Sequence, residues 1–408
     1  MAGLRIERLQ IVPLHIPFKV AFRHASAERA ETSSVWVEAV SEDGTIGYGE
    51  SCPRPYVTGE TLDTARAFFA RHEAALCADI SGLPALRAWM ADHQTELDRN
   101  PAAWCAIELA ILDLLAKESG QSMETFLSRP PLEGRFQYTA VLGDAGPDAF
   151  QAVAEQYRRQ GFTDFKVKLS GQIERDREKI ALLRRCADQP IRVRADANNL
   201  WDSADEAVAF LRSLDYPFFA VEEPIRPNQY AELMRLAESL NCGVVLDESF
   251  LRLGQLDLIR GMPARWLINL RVSKMGGLLR SLDLVDAARA SGIGLIVGAQ
   301  VGETSLLTRA ALTVASAARE ALVAQEGAFG TFLLERDVCE PPLMFGGGGV
   351  LEVSSHPLLA GPGFGFAAVP EHEATSGVRD GRLASEAVSA VPGERLESGR
   401  PRRAPGSD

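Results

Sequence analysis

One recurrence constrains the fold of this chain more than any other feature. Past residue 136, short apolar runs alternate with amphipathic helical stretches: YTAVLG, FKVKLS, IRVRADA, PFFAVEEP, GVVLDES, WLINLRVSK, GIGLIVGAQ and ALVAQEG. Strands that alternate with helices build parallel β-α-β units. Eight such units in roughly 200 residues predict a closed (β/α)8 barrel, with a doubly wound open sheet as the rival. No GxGxxG follows the first run and no P-loop occurs, so neither nucleotide fingerprint supports the rival. FGGGG, at 345–349, reads as a flexible turn after the barrel.

Several of these runs end in a charged residue at a regular step. Lys168 to Asp196 is 28 residues, Asp196 to Glu222 is 26, Glu222 to Asp247 is 25 and Asp247 to Lys274 is 27. Each step suits one β-α unit, which puts these residues at the C-terminal ends of successive strands, the catalytic face of a barrel. Within FKVKLSG, Lys166 and Lys168 are two apart and share one face of the strand, while Val167 and Leu169 share the other. Any one such lysine or acid, taken alone, reads as a solvated loop residue. The joint spacing is what argues for a site.

Asp196, Glu222 and Asp247 would then converge. Three carboxylates cannot all stay ionised together without a cation. Oxygen ligands with no histidine nearby favour Mg2+. Lys168 and Lys274 would flank the acids on opposite sides. A cation holding a substrate carboxylate would stabilise an enediolate while a lysine takes the α-proton, with Lys166 supporting the oxyanion. Glu223 and Glu248 read as salt-bridging neighbours of the ligands, and Asn198 and Asn269 as residues that help to hold the site.

The front of the chain has another rhythm. SVWVEAVSEDGTIGYGE alternates, breaks at Asp43-Gly44 and resumes, which predicts a hairpin. Residues 60–128 read as helical, with AAWCAIELAILDLLAKESG stopping near Gly120. This gives an α+β domain over 1–135 and the barrel over 136–340. Residues 373–408 are small, polar and charged, and are expected to be disordered. A net charge of −12 argues against a nucleic-acid partner. No apolar run reaches the roughly 18 residues of a membrane span. The start, MAGLRIERLQ, lacks the marks of a secretory signal, so a cytoplasmic enzyme is expected. The six cysteines are scattered without a CxxC and read as reduced.

Taken together, KVK (166–168), DANN (196–199), VEEP (221–224), LDES (246–249) and SKMGG (273–277) resemble the enolase superfamily, most closely its muconate-lactonizing-enzyme subgroup. The resemblance covers roughly residues 5–370 and extends to GYGE (47–50), AIELAILDLLAK and GPGFGF (361–366). It implies an α/β fold, a modified TIM barrel (β/α)7β under an N-terminal α+β capping domain, with residues 341–372 returning to the cap. It also implies Asp196, Glu222 and Asp247 as Mg2+ ligands, Lys168 and Lys274 as acid/base residues, and a homo-oligomer. The implied activity is that of an isomerase (racemase, epimerase or cycloisomerase) on a small carboxylate. The alternatives are a lyase, either a dehydratase or an o-succinylbenzoate-synthase-like enzyme, and a non-catalytic binding protein.

No histidine lies between 94 and 355, which excludes the histidine base of the mandelate-racemase subgroup. Dipeptide epimerases of the two-lysine subgroup carry an Asp-x-Asp near the eighth strand. Gly327 and Phe329 stand there, which argues against a free-amine dipeptide substrate. Glu326 lies one position from a glutamate of the muconate enzymes. In such a family the cap loops select the substrate, here FRHASAER (22–29) and CPRPYVTGE (52–60). His24, Arg54 and Tyr56 are the candidate substrate contacts, ahead of Arg23 and Arg29.

Overall fold

A computed structural model describes residues 5–24, 27–186 and 190–366, so the tail expected to be disordered, 373–408, lies outside the described residues. The alternating front segments pair as expected. Strands Ile6–Leu14, Ser34–Ser41 and Ile46–Ser51 form an antiparallel sheet, with the hairpin closing at Gly44. Four helical stretches follow, over Leu62–Asp79, Leu83–Asp92, Gln94–Leu97 and Pro101–Glu118. The last of these is buried along nearly its whole length and packs on the sheet. Its run of alanine and leucine suits both requirements, since these residues favour helix and bury without polar groups.

Eight parallel strands then run in sequence order: Ala140–Leu142, Asp164–Lys168, Arg192–Asp196, Ala220–Glu222, Gly243–Leu246, Trp266–Leu270, Gly294–Val297 and Leu322–Gln325. The sheet curls until its two ends meet, where the Thr139 N–H donates to the Gln325 carbonyl at 2.7 Å. The expected barrel is therefore present, and the open-sheet rival is not. Six of the seven connections carry α-helix. The fifth, between Leu246 and Trp266, holds only the short 3-10 turns Leu253–Leu258 and Pro263–Arg265.

Register fixes what points inward. Lys166 pairs with Arg194 and Arg194 with Ala220, while one level higher Lys168 pairs with Asp196 and Asp196 with Glu222. Phe165 and Val167 alternate outward into the large core beneath the helices. Inside the barrel Ala220, Val245, Ile296 and Ala324 form a small separate apolar plug under the charged rows.

The front domain meets the barrel through buried carboxylates aimed at helix N-termini, where backbone N–H groups lack helical partners. Glu50 accepts from Thr304 N–H (3.0 Å) and Thr304 Oγ1 (2.6 Å), at the start of helix Ser305–Ala317. Glu108 accepts from Leu278 N–H (2.6 Å) and Leu279 N–H (3.0 Å), at the start of helix Leu278–Ser291. The Arg309 guanidinium donates to both Glu124 oxygens at 2.8 and 2.9 Å. The FGGGG stretch is a hydrogen-bonded 3-10 turn that leads into Val350–Glu352, which pairs with Arg135–Gln137. Farther on, Phe364 N–H donates to Asp113 and Met123 N–H to the Gly363 carbonyl, which carries the chain back to the front domain. Among the described residues no helix is long and apolar enough to cross a membrane.

Candidate active site

The mouth of the barrel collects the charged residues that the spacing singles out. Lys168 Nζ donates to Asp196 Oδ2 (3.0 Å) and Asn198 Oδ1 (2.7 Å). Lys166 Nζ, one level deeper, lies 3.4 Å from Asp196, 3.4 Å from Glu222 and 3.0 Å from Glu326. Glu222 accepts from Asn269 Nδ2 at 3.0 Å. Lys274 Nζ donates to the Asp247 carbonyl (2.8 Å), Asp247 Oδ1 (2.8 Å) and the Asn269 carbonyl (2.6 Å). The order around the mouth is thus Lys168, Asp196, Glu222, Asp247, Lys274, with one ammonium at each end of the acid row. Lys274 departs from the strand-end expectation in one respect. It sits on a short helix, Val272–Met275, beyond the end of its strand.

Local backbone conformation holds these groups. Asn198 and Asn199 adopt left-handed φ values of 45° and 62°, which asparagine tolerates better than most residues, and Asn198 N–H reaches back to Asp196 Oδ1. Glu223 was expected to form a salt bridge. Instead its carboxylate accepts from Asp247 N–H (2.7 Å), Ser249 N–H (2.7 Å) and Ser249 Oγ (2.8 Å), so it fixes the backbone that carries Asp247. Glu248 also departs from the salt-bridge expectation. It lines the cavity, and its buried Oε2 has no hydrogen-bond partner.

Charge is distributed unevenly. Burial opposes the charge on Lys166, but Glu222, Glu326 and Asp196 outweigh it and push that ammonium above its usual range, so Lys166 stays charged. Burial likewise opposes charge on Asp196, and Lys168 and Lys166 overcome it and hold the carboxyl well below the usual range. Glu222 goes the other way. Burial, aided by Asp196, Glu326 and Asp247, pushes it up to about 7 despite Lys166. Burial, more than an excess of acids, therefore sets the charge of Glu222.

Several residues here were not singled out by the sequence. Arg271 binds Asp247, donates to Gln300 at 3.0 Å and lies 4.0 Å from Glu222. Arg194 is fully buried between Glu326 and Asp164. Glu303 lines the cavity, accepts from Gln300 N–H at 2.6 Å and is pushed up to about 7 by burial. Arg194 carried a legible signal, because it lies two residues before Asp196 on the same strand face. Arg271 follows its strand directly and carried no periodic signal.

The row opens into a cavity of about 470 Å³, lined by Lys166, Lys168, Asp196, Asn198, Asp247 and Glu248 among others. Tyr56 lines it. Arg54 does not. It is fully buried, and its guanidinium donates to the carbonyls of Thr32, Ser33, Pro53 and Val301, so it ties the cap loop to the loop after the seventh strand. His24 falls on strand Pro17–His24, and its side chain lies outside the described residues.

Asp196 and Glu222 are direct register partners, and Asp247 lies two residues beyond Val245, the partner of Glu222. Three carboxylates from adjacent strands, with no sulfur or imidazole among them, suit a hard divalent cation. Among the described residues no three acidic, histidine or cysteine side chains are gathered closely enough to hold a metal. The acids are engaged instead by Lys166, Lys168, Arg271 and Lys274. The donor set fits a cation, while the side-chain positions are those of acids paired with amines.

Comparison with known proteins is consistent along the chain. Residues 6–127 match the model of the mandelate racemase / muconate lactonizing enzyme N-terminal domain, and residues 149–372 match that of the enolase C-terminal domain-like family. The L-Ala-D/L-Glu epimerase of Bacillus subtilis (strain 168) is 30% identical over 330 residues, covering 78% of this chain and 86% of that protein. A substrate-liganded complex of the L-Ala-D/L-Glu epimerase from Bacillus subtilis superposes with a TM-score of 0.79 at 24% identity, covering 90% of this chain and 100% of that chain. The dipeptide epimerase from Enterococcus faecalis V583, complexed with Mg and the dipeptide L-Leu-L-Tyr, gives 0.74 at 23% identity, covering 89% of this chain and 99% of that one. Both solved structures share the fold.

Proposed function

This chain belongs to the mandelate racemase / muconate lactonizing enzyme family of the enolase superfamily and is an enzyme of isomerase type; from that premise we propose that it inverts or rearranges a small carboxylic acid by moving its α-proton between Lys168 and Lys274. The observation that carries the reading is the order around the mouth, with one lysine on each end of a row of three acids. A substrate whose carboxylate sits over that row has its α-carbon between the two amines. One amine removes the proton and the other returns one on the opposite face, which is what racemisation and epimerisation require.

Asp196, Glu222 and Asp247 would hold Mg2+, the ion present in the Enterococcus faecalis structure, and when bound it supplies positive charge that makes the α-proton of the substrate more acidic. Lys166, kept charged by its three carboxylates, adds a fixed positive charge under the same spot. Glu223 and Asn269 keep Asp247 and Glu222 in place. Gly327 and Phe329 put no carboxylate where an ammonium of the substrate would need one. The dipeptides of the relatives are therefore not carried over to this chain.

Incubation with Mg2+ in D2O and a panel of carboxylic acids tests the reading. Exchange of the α-hydrogen without net elimination is the expected result. Loss of water would make the enzyme a lyase on the same residues. No exchange, together with no Mg2+ binding by calorimetry, would leave a binding protein and end the proposal.

A further inference from the structure

The cavity has two chemically distinct sides. All of its charged lining residues come from strands two to eight and the turns directly after them. The lining residues between 141 and 160 and between 327 and 345 carry no charge; Val153, Phe329, Phe332, Leu333 and Phe345 make most of this side an apolar wall, and Gln156, Tyr157 and Gln160 are its neutral polar groups. The wall is built on an aromatic cluster. Phe332 stacks on Phe345 with centroids 5.2 Å apart and planes at 28°, while Phe329 and Phe162 meet Phe345 edge-on at 5.5 and 5.4 Å. Phe345 itself is only 4% exposed, whereas Phe332 is 51% exposed and lines the cavity. Backbone bonds hold the segment against the cap: Lys19 N–H donates to the Leu333 carbonyl at 2.8 Å, and Glu335 N–H to the Pro17 carbonyl at 2.9 Å.

A half-exposed phenylalanine on a rigid aromatic base, continuous with an ionic site, is an apolar surface without its partner in the folded chain. Cavities of this size recognise ligands through a few fixed polar groups and a larger apolar contact. Resting on the active site proposed above, we infer that the part of the substrate remote from its reacting carboxylate is an uncharged apolar group, aromatic or branched aliphatic, seated on Phe332, Phe329 and Val153. An ammonium or a second carboxylate there would lose its water, and no residue lining that side carries a counter-charge. Selection on this side thus comes from the segment after the eighth strand and from helix Pro147–Arg159, in addition to the cap loops.

The test is equilibrium binding, independent of turnover. The full chain with Mg2+ is titrated by calorimetry with three acids that differ only at the far end of a six-carbon chain: 6-phenylhexanoate, adipate and 6-aminohexanoate. The phenyl acid is expected to bind at least about 10-fold tighter than either charged-end acid, the scale of burying one aromatic group. Phe332→Lys should erase that preference and leave the melting temperature unchanged, because Phe332 is half exposed. Equal or tighter binding of adipate or 6-aminohexanoate, no binding of any of the three, or an unaltered preference in Phe332→Lys would each overturn the inference. Inversion with isotope exchange in D2O, which needs Lys168 and Lys274 but not the wall, decides the proposed function separately.

Discussion

Two regions of this molecule bury carboxylates, and they use them in opposite ways. At the seam between cap and barrel, Glu50 and Glu108 point at backbone N–H groups of helix N-termini. At the barrel mouth, Asp196 and Asp247 point at ammonium and guanidinium groups on long side chains. A helix N-terminus is a fixed partner, which the carboxylate meets once and for all. A lysine is a partner that can let go, move a proton and return. The same residue type therefore makes a joint in one place and a site in the other, and what separates them is whether the partner is main chain or side chain.

The largest expected effect breaks the mouth alone. Lys168→Ala and Lys274→Ala should each lower inversion at the α-carbon by about 10³-fold, the scale of losing a general acid or base, while each keeps α-hydrogen exchange of the one enantiomer that its remaining lysine faces. Near wild-type inversion in either variant would refute the two-lysine reading. The seam counterpart is Glu108→Ala, which strands the N–H groups of Leu278 and Leu279 and leaves a hole. It should cost about 2–3 kcal/mol, read as a melting temperature lower by roughly 3–4 °C, with exchange per folded molecule unchanged. If Glu108→Ala instead abolished exchange while the melting temperature stayed put, the division between joint and site would be wrong.

Stability against pH sharpens the contrast. Burial pushes Glu50 and Glu108 up to about 8 against the N–H groups that favour their charge. A carboxyl with a raised pKa in the fold binds its proton more tightly folded than unfolded. Its contribution is complete below the unfolded value near 4.5 and is lost as pH rises through 8. The melting temperature should therefore fall between pH 5 and pH 8. Glu50→Gln, which cannot titrate, should flatten that fall by an amount of order 3 °C, measured by calorimetry across the range. An unchanged slope in the variant would show that Glu50 stays ionised throughout.

The sequence exposes these two regions unequally, for physical reasons. The barrel, its eight strands and the acid row were legible because a β-α unit has a nearly constant length and a strand has a period of two, so steps of 25–28 residues and pairs such as Lys166 and Lys168 carry position directly. Seam partners follow no period. Glu108 meets Leu278 across 170 residues and Glu50 meets Thr304 across 254, and no local pattern encodes such a distance. The same limit explains Arg54. A loop arginine beside the mouth reads as a substrate contact, yet four backbone carbonyls, one of them 247 residues away, hold both of its terminal nitrogens. Arg271 escaped notice because its role depends on where Asp247 and Gln300 are brought, on two other strands.

A pair of glycines offers the smallest and most discriminating contrast. Each leaves room for a polar atom that a methyl group would displace, one in each region. A Cβ on Gly277, whose φ is +101°, would lie 2.2 Å from Glu108 Oε2, and one on Gly298 would lie 2.0 Å from Asn269 Oδ1. Gly277→Ala should therefore act like a mild Glu108 variant, lowering the melting temperature by a few degrees without touching exchange. Gly298→Ala should push Asn269 away from Glu222, its partner at 3.0 Å. A group that orients a metal ligand is worth about 10-fold or more in metal affinity, so Mg2+ should bind about 10-fold more weakly and exchange should fall by a similar factor at limiting Mg2+. Saturating Mg2+ should restore much of that loss in Gly298→Ala and none of the stability lost in Gly277→Ala. Rescue of both by Mg2+, or of neither, would mean that the seam and the mouth are one coupled unit.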